Sequence, residues 1–225
     1  MGSNGNAGDG GLGNEVETSA KDSVLLLSGG MDSTAIAFEH RPSQAIFINY
    51  GQRPASAEER SARAVCNALS IDFSALRIDL SSIAAGLLAS DSQLDGSPSP
   101  EWWPFRNQLL ISVAAGWAIG HTSALARPGS VQILIGSVKG DGDRHADGTE
   151  GFVRSISDLI VLQEGAISVL APFLERTTEQ LIDDSRVPDS ILAWTHSCHV
   201  ADVPCGSCPG CFKRQRVLNS IDRLK

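Results

Sequence analysis

Short apolar runs alternate with longer stretches of helical periodicity along most of the chain. Runs typical of buried strands occupy 24–27, 45–49, 73–79, 131–135 and 167–170. Between them, apolar residues recur at helical spacing, which predicts helices over 32–39, 55–69, 105–117, 152–163 and 177–184. This alternation predicts an α/β fold with a doubly wound parallel sheet, in which ligands bind at the carboxyl ends of the strands.

Three segments lie outside this alternation. Residues 1–22 hold six glycines within the first thirteen positions, so we predict a flexible tail that buries too little surface to fold. Serine, aspartate, glycine and proline punctuate residues 81–104, which favours a loop or a lid. We assign 23–190 to a nucleotide-binding α/β domain and 191–225 to a zinc-binding segment with a C-terminal helix, on the motifs described below.

Composition and charge narrow the class of protein. The 225 residues are 42% hydrophobic and 20% charged, and the formal net charge is −8. An acidic chain has no long-range attraction for nucleic acid or anionic lipid, so a nucleic-acid partner is not expected. The sequence has neither an apolar stretch long enough for a membrane helix nor a signal-peptide pattern, so we predict a cytoplasmic protein without a membrane partner.

The segment Ser28-Gly29-Gly30-Met31-Asp32-Ser33 follows the first predicted strand and opens the first predicted helix. Glycines let the backbone approach an anion, and the N–H groups of the turn and helix start point at it. The two serines add hydroxyl donors, whereas Asp32 suits a phosphate site only if it binds Mg²⁺ or orients the loop. A glycine turn without a ligand is the alternative interpretation, which the serines and the aspartate disfavour.

Four of the five cysteines lie between positions 198 and 211. Cys198, Cys205, Cys208 and Cys211, the cysteine cluster, offer the four thiolates that a tetrahedral zinc site needs. With no ligand position left open the zinc is structural, and Lys213, Arg214 and Arg216 can offset its negative charge. Disulfides and an iron–sulfur cluster are the alternatives. His196 and His199 are predicted to be polar loop residues rather than ligands, and Cys66 a buried small residue.

Four features together resemble a known family. The run 27–34 resembles the pyrophosphate loop of the ATP pyrophosphatase (PP-loop) superfamily. Within that superfamily, Tyr50-Gly51-Gln52-Arg53, Arg106-Asn107 and the segment 194–211 resemble the 7-cyano-7-deazaguanine synthases, the nitrile-forming enzymes of queuosine biosynthesis. The resemblance covers about residues 24–218.

The resemblance implies an ATP-dependent ligase that adenylates a 7-deazaguanine carboxylate, then uses ammonia to form an amide and finally a nitrile. It implies ATP, Mg²⁺ and Zn²⁺ as cofactors, and a homodimer. The implied catalytic residues are Ser28, Asp32, Ser33 and Arg106. The implied nucleotide-binding residues are Leu27, Ser28, Gly29, Gly30, Met31, Asp32, Ser33, Thr34, Tyr50, Gln52 and Arg53.

The stretch 139–149 departs from the family, because its usual Tyr-Pro-Asp-Cys-Arg-like segment has lost the tyrosine and the cysteine. We predict that Asp143, His145 and Asp147 join Arg106 and Asn107 in binding the substrate. A solvated polar loop is the alternative. The adjacent residues Trp102 and Trp103 either stack on a purine-like ring or close the core.

Three other functions stay open at this stage. The altered stretch also suits a synthase-like paralogue of anti-phage defence systems, in which a deazaguanine is attached to a protein acceptor. A tRNA-modifying PP-loop enzyme is disfavoured by the acidic charge balance. A zinc-containing nucleotide sensor would bind ATP without releasing AMP.

Overall fold

Five parallel strands form the centre of the computed structural model, which describes residues 22–224. Their order across the sheet is β3-β2-β1-β4-β5, and every neighbouring pair runs parallel. Parallel neighbours need crossover connections, and helices supply them here. The strands are β1 (Asp22–Leu26), β2 (Gln44–Asn49), β3 (Asp72–Arg77), β4 (Val131–Leu134) and β5 (Ser168–Leu170).

Helices cover both faces of the sheet, as the doubly wound prediction requires. Successive strand residues face opposite sides, so Leu25 joins a core with α1 and α2, whereas Val24 joins a second core with α3 and α4. The helices are α1 (Met31–His40), α2 (Ala55–Leu69), α3 (Arg106–His121), α4 (Glu150–Val161), α5 (Thr178–Ser185), α6 (Asp189–Leu192) and α7 (Pro209–Ser220).

The direction in which the chain adds strands to the sheet reverses at β1. From β1 the chain fills one side of the sheet with β2 and β3, then returns to pair β4 with the other edge of β1. The connections leave β1 and β4 toward opposite faces, and such a switch point opens a crevice at the carboxyl ends of the two strands. The 28–33 loop follows β1, and Gly136 and Ser137 follow β4, so both border this crevice.

Element types are as the periodicity predicted, with small differences at the ends. The prediction for α2, 55–69, agrees with the structure in both bounds, and β3 ends at Arg77 rather than at 79. β1 begins at Asp22, so this residue belongs to the sheet and not to the predicted tail. The rest of the tail prediction, 1–21, lies outside the described residues. Residues 81–104 are largely irregular, apart from a 3₁₀ turn at Ser81–Ile83.

The periodicity did not predict α6 or the two 3₁₀ turns at Asp141–Asp143 and Ala146–Gly148, because elements of three or four residues leave no helical repeat. Within residues 22–224, no helix has both the length and the apolar character needed to span a bilayer.

Candidate functional site

The 28–33 loop leaves β1 and enters α1 without a side-chain cap at the start of the helix. Gly30 is the residue before the helix, and no side chain caps the first amides of α1. The hydroxyl oxygens of Ser28 and Ser33 lie 3.2 Å apart, and the Ser33 hydroxyl donates to the Gly30 carbonyl over 3.2 Å. A helix start with free amides and two hydroxyls is a suitable site for an anion.

Gly29 allows this loop to lie directly against α2. Its φ is +76°, and a Cβ atom here would stand 2.7 Å from both the Glu58 carbonyl oxygen and the Ser61 Cβ. Only glycine fits without displacing the helix. The Gly29 carbonyl also accepts a hydrogen bond from the backbone N–H of His196 over 2.9 Å, which joins the loop to the C-terminal segment.

A cavity of about 370 Å³ opens at the carboxyl ends of β1 and β4. It brings together residues from the loop, from the start of α3 and from the altered 139–149 stretch. The residues predicted for the site that line it are Leu27, Ser28, Gly30, Asp32, Ser33, Tyr50, Arg106, Asn107, His145 and Asp147.

Other predicted residues lie beside the cavity without lining it. The Gln52 amide is buried, accepting from Tyr50 N and donating to Glu58 Oε2 over 2.8 Å. Arg53 pairs with Asp91 over 2.5 Å near the surface, and Asp143 is exposed. Gly29, Met31 and Thr34 do not line the cavity either, and the side chains of Met31 and Thr34 are buried in the protein. The catalytic, nucleotide-binding and substrate-binding roles of all the predicted site residues stay predictions, including those of Gln52, Arg53 and Asp143.

Arg106 is the predicted cation of the site, at the first position of α3. Its Nε donates a hydrogen bond to Asn107 Oδ1 over 3.1 Å. Within residues 22–224, no carboxylate oxygen lies within 4 Å of the Arg106 guanidinium nitrogens, the limit for an ion pair. Burial acts to lower the pKa of Arg106, but the nearby Tyr50, Asp147 and Glu58 outweigh it and raise that pKa. The guanidinium therefore keeps its charge and lacks a close counter-ion.

Glu58 is a cavity residue that the sequence did not indicate, because it reads as an ordinary surface position of α2. Burial raises its pKa to about 7 against the lowering effects of Gln52 and Arg106. Nearby, burial also raises the pKa of Tyr50 to about 12. The Tyr50 ring meets Trp103 edge to face at 5.0 Å, so Trp103, itself buried, closes the core instead of offering a free stacking face.

A second unpredicted group joins the 81–104 segment to the altered stretch. The Arg144 guanidinium lies 2.6 Å from Glu101 Oε1, and His145 Nε2 lies 3.7 Å from the same oxygen. Burial acts to raise the pKa of Glu101, but the nearby His145 and the charge of Arg144 outweigh it and lower that pKa to about 2. Sequence periodicity carries no signal for such a contact between two loops.

Lys213 was expected to offset charge on the cysteine cluster, and it points to the loop instead. Its Nζ donates to Asp32 Oδ2 over 2.9 Å and lies 3.9 Å from Asp141 Oδ1. Burial acts to lower the pKa of Lys213, but the charges of Asp32 and Asp141 outweigh burial, so the net effect is a raised pKa. Arg214 contacts Thr195, and the charge of Cys211 acts to raise its pKa against the lowering effect of burial, so Arg214 lies close enough to offset charge on the cluster. Arg216 lies 3.9 Å from Glu179.

The sulfur atoms of the cysteine cluster all lie within 4.8 Å of one another. Cys205 Sγ is 3.9 Å from Cys211 Sγ, and Cys208 Sγ is 4.0 Å from Cys198 Sγ. Tetrahedral zinc with Zn–S bonds of about 2.3 Å needs sulfurs about 3.8 Å apart, so the four side chains fit that ion. All five cysteines in residues 22–224 are free thiols, as expected for a metal site rather than disulfides.

Backbone donors surround the cluster sulfurs. The N–H groups of His199 and Cys211 approach Cys208 Sγ at 3.3 and 3.5 Å, which suits a thiolate. His196 bonds through its ring to the Ala201 carbonyl, and neither histidine belongs to the group that could hold a metal. His199 lines the cavity, however, so its surroundings are those of the site and not of a solvated loop.

The doubly wound sheet and the serine–glycine loop at its switch point define an α/β protein of the PP-loop class, and its C-terminal segment carries four cysteines that could hold a metal ion. The model of the family "Queuosine biosynthesis protein QueC" matches residues 22–222. The chain belongs to this family.

Curated relatives agree with this family over nearly their whole length. A 7-cyano-7-deazaguanine synthase of Acidobacterium capsulatum is 30% identical over 220 residues, covering 89% of this chain and 93% of the relative. The synthase of Desulfotalea psychrophila is 27% identical, covering 90% and 96%, and that of Campylobacter concisus is 28% identical, covering 91% and 98%. The resemblance seen in the motifs is therefore confirmed at the level of the family.

Proposed function

We propose that this protein is an ATP-dependent synthase that activates the carboxylate of a 7-deazaguanine and releases AMP and pyrophosphate. The observation that carries the proposal is the convergence on one cavity of the 28–33 loop, Asp147 and the Arg106 guanidinium, which has no carboxylate at ion-pair distance within residues 22–224. Family membership and the names of the relatives support it.

The proposed nucleotide site is the loop at the start of α1. Its free amides, Ser28 and Ser33 would bind the pyrophosphate part of ATP, and Asp32 would hold Mg²⁺, whose oxygen-ligand preference a carboxylate satisfies. Tyr50 lines the same cavity at the end of β2 and would lie beside the nucleotide. No side chain is needed as a nucleophile, because the substrate carboxylate attacks the α-phosphorus directly.

The proposed substrate site lies across the cavity. Arg106, without a close counter-ion, would bind the carboxylate, and Asn107 holds its guanidinium in orientation. Asp147 and His145 would form hydrogen bonds with the polar groups of the deazapurine ring. The cysteine cluster would hold a structural zinc ion, since no ligand position is left open. We propose 23–190 as the catalytic domain and 191–225 as the zinc-containing segment that completes it.

The test is incubation of the full chain with ATP, Mg²⁺, ammonia and 7-carboxy-7-deazaguanine. We expect AMP and pyrophosphate to form in step with the amide and then the nitrile. Ser33→Ala should lower the rate by about 10- to 1000-fold, on the scale of losing one donor to developing charge. Absence of both AMP and nitrile from the wild-type reaction would contradict the proposal.

The altered 139–149 stretch favours a second candidate, in which the activated carboxylate meets an amine of a protein instead of ammonia. The stretch contributes Arg144 and His145 to the lining of the cavity, where Arg144 pairs with Glu101 and His145 Nε2 lies 3.7 Å from the same carboxylate. AMP release that needs an added protein, with the deazaguanine found attached to it by mass spectrometry, would support this candidate. AMP release with ammonia alone would contradict it.

A further inference from the structure

The 28–33 loop contains no cation of its own. Its donors are amides and hydroxyls, and its only ionisable side chain, Asp32, is an acid. The triphosphate of ATP carries several negative charges, so a loop that adds another would repel it unless a positive group stands nearby. One oxygen of Asp32, Oδ1, is moreover buried without a hydrogen-bond partner. The loop therefore relies on positive charge from outside its own residues, which the Mg²⁺ of the proposed function supplies in part and another part of the fold can complete.

The geometry points to Lys213 as that cation: we propose that its ammonium group binds the pyrophosphate part of ATP in the 28–33 loop. The inference rests on the proposed function and adds a residue to it. Lys213 stands on α7, 181 residues after Asp32, yet its Nζ lies 2.9 Å from Asp32 Oδ2 and its side chain lines the cavity. The sequence did not indicate this pair, because the 28–33 loop itself contains no lysine and Lys213 lies far from it along the chain.

The ammonium group has donors to spare. Lysine donates up to three hydrogen bonds. Within residues 22–224, Asp32 is its one hydrogen-bond partner, since Asp141 Oδ1 at 3.9 Å is beyond hydrogen-bond range. The side chain is 31% exposed, so a ligand entering the cavity reaches it without rearranging the core. Because the Lys213 ammonium group has free N–H donors and lies beside the 28–33 loop, it can contact a bound phosphate and still neutralise Asp32.

The cysteine cluster determines where Lys213 points. Cys208 caps α7, and its sulfur accepts from the N–H of Cys211, two residues before the lysine. Gly210 lies so close to the Ser197 carbonyl that a Cβ atom would stand 1.8 Å from it, which fixes the first turn of α7 against the 194–198 segment. The next residue, Arg214, is held to Thr195. The metal-binding segment thus fixes the helix that carries Lys213.

Calorimetric titration of the full chain with magnesium pyrophosphate, ATP and AMP tests the inference. Lys213→Met should weaken pyrophosphate and ATP binding by about 10- to 100-fold, the range for one charge-assisted contact, and leave AMP binding unchanged. Lys213→Arg, which keeps the charge, should recover part of the loss. Lys139→Met is the matched control, because that lysine is exposed and does not line the cavity; it should bind all three ligands as the wild type does.

A double variant separates phosphate binding from mere neutralisation of Asp32. If Lys213 only offsets the aspartate, Asp32→Asn/Lys213→Met should bind pyrophosphate as tightly as Asp32→Asn alone, and that result would overturn the inference. We expect the double variant to bind about tenfold more weakly. Equal loss of AMP and pyrophosphate in Lys213→Met would also overturn it. Failure of the wild type to bind ATP or pyrophosphate would instead overturn the proposed function, and the inference with it.

Discussion

Arg144 and Glu101 join two loops that the sequence separates by 43 residues, with 2.6 Å between the Arg144 guanidinium and Glu101 Oε1. The Glu101 side chain is only 9% exposed, whereas Arg144 is about half exposed. The second carboxylate oxygen of Glu101 is buried without a partner. The pair therefore joins the irregular 81–104 segment to the altered stretch, and both residues line the cavity.

Glu101→Gln should destabilise the protein by about 1 to 3 kcal/mol at neutral pH, because it removes the anion that Arg144 and His145 share. The folded-state pKa of Glu101 is about 2, below its ordinary value of 4.5. Its stabilising contribution is therefore complete above about pH 4.5 and declines as the pH falls toward 2. Thermal unfolding at pH 7 and pH 3 measures the difference between wild type and variant.

The control for Glu101 is Glu39→Gln, which removes a comparable contact to Arg176 from a more exposed site. It should cost less than about 1 kcal/mol at neutral pH. A Glu101→Gln difference that stays the same at both pH values would contradict an ionised, stabilising Glu101.

Glu58 should show the opposite dependence on pH. Its folded-state pKa of about 7 lies above the ordinary 4.5, so the folded state holds a proton that the unfolded state has lost. Stability from this group is present below about pH 4.5 and is lost as the pH rises through 7. Glu58→Gln should therefore raise Tm relative to the wild type at pH 8, by roughly 2 to 4 °C, and much less at pH 5.

Glu59→Gln, the adjacent position, is the control for Glu58. Glu59 pairs with Arg63 on the outer face of α2, so its replacement should change Tm little at either pH. Equal Tm differences for Glu58→Gln at pH 5 and pH 8 would show that the carboxylate is not protonated in the folded protein.

Two glycines should respond to alanine in opposite directions. Gly29→Ala should destabilise the protein by about 2 to 4 kcal/mol, because φ is positive and the new Cβ would meet the α2 backbone at 2.7 Å. Gly116→Ala, inside α3 with nothing within 4 Å of the new Cβ, should stabilise by about 0.5 to 1 kcal/mol. Denaturant unfolding of both variants measures the two signs, and a neutral Gly29→Ala would contradict the close contact with α2.

If the cysteine cluster holds zinc as proposed, Cys208→Ser should abolish tight metal binding and lower stability by about 4 kcal/mol or more, because three thiolates leave the tetrahedral site incomplete. Metal content by elemental analysis and thermal unfolding measure both effects. Cys66→Ala is the control: Cys66 is buried in the core between α2 and the sheet, so this variant should lose some stability and keep its zinc. Equal metal content in wild type and Cys208→Ser would contradict the zinc site.

Local chemistry along the sequence determined much of this protein. Apolar runs and helical repeats are short-range properties, so they predicted the five strands, the main helices and the parallel α/β class. The serine–glycine loop and the cysteine cluster each act within a few residues, and their geometry is set by neighbours in the chain. These motifs also sufficed to identify the family.

The tertiary structure alone decided which distant side chains meet. Lys213 contacts Asp32, Arg144 contacts Glu101, and Glu58 is buried beside the cavity, although no pattern in the sequence predicts these two contacts or this burial. Such contacts depend on crossover connections and on the path of two irregular segments, which leave no periodic pattern. Burial then changes the pKa values, because desolvation and opposed charges act only after the sheet and its loops have brought these groups together.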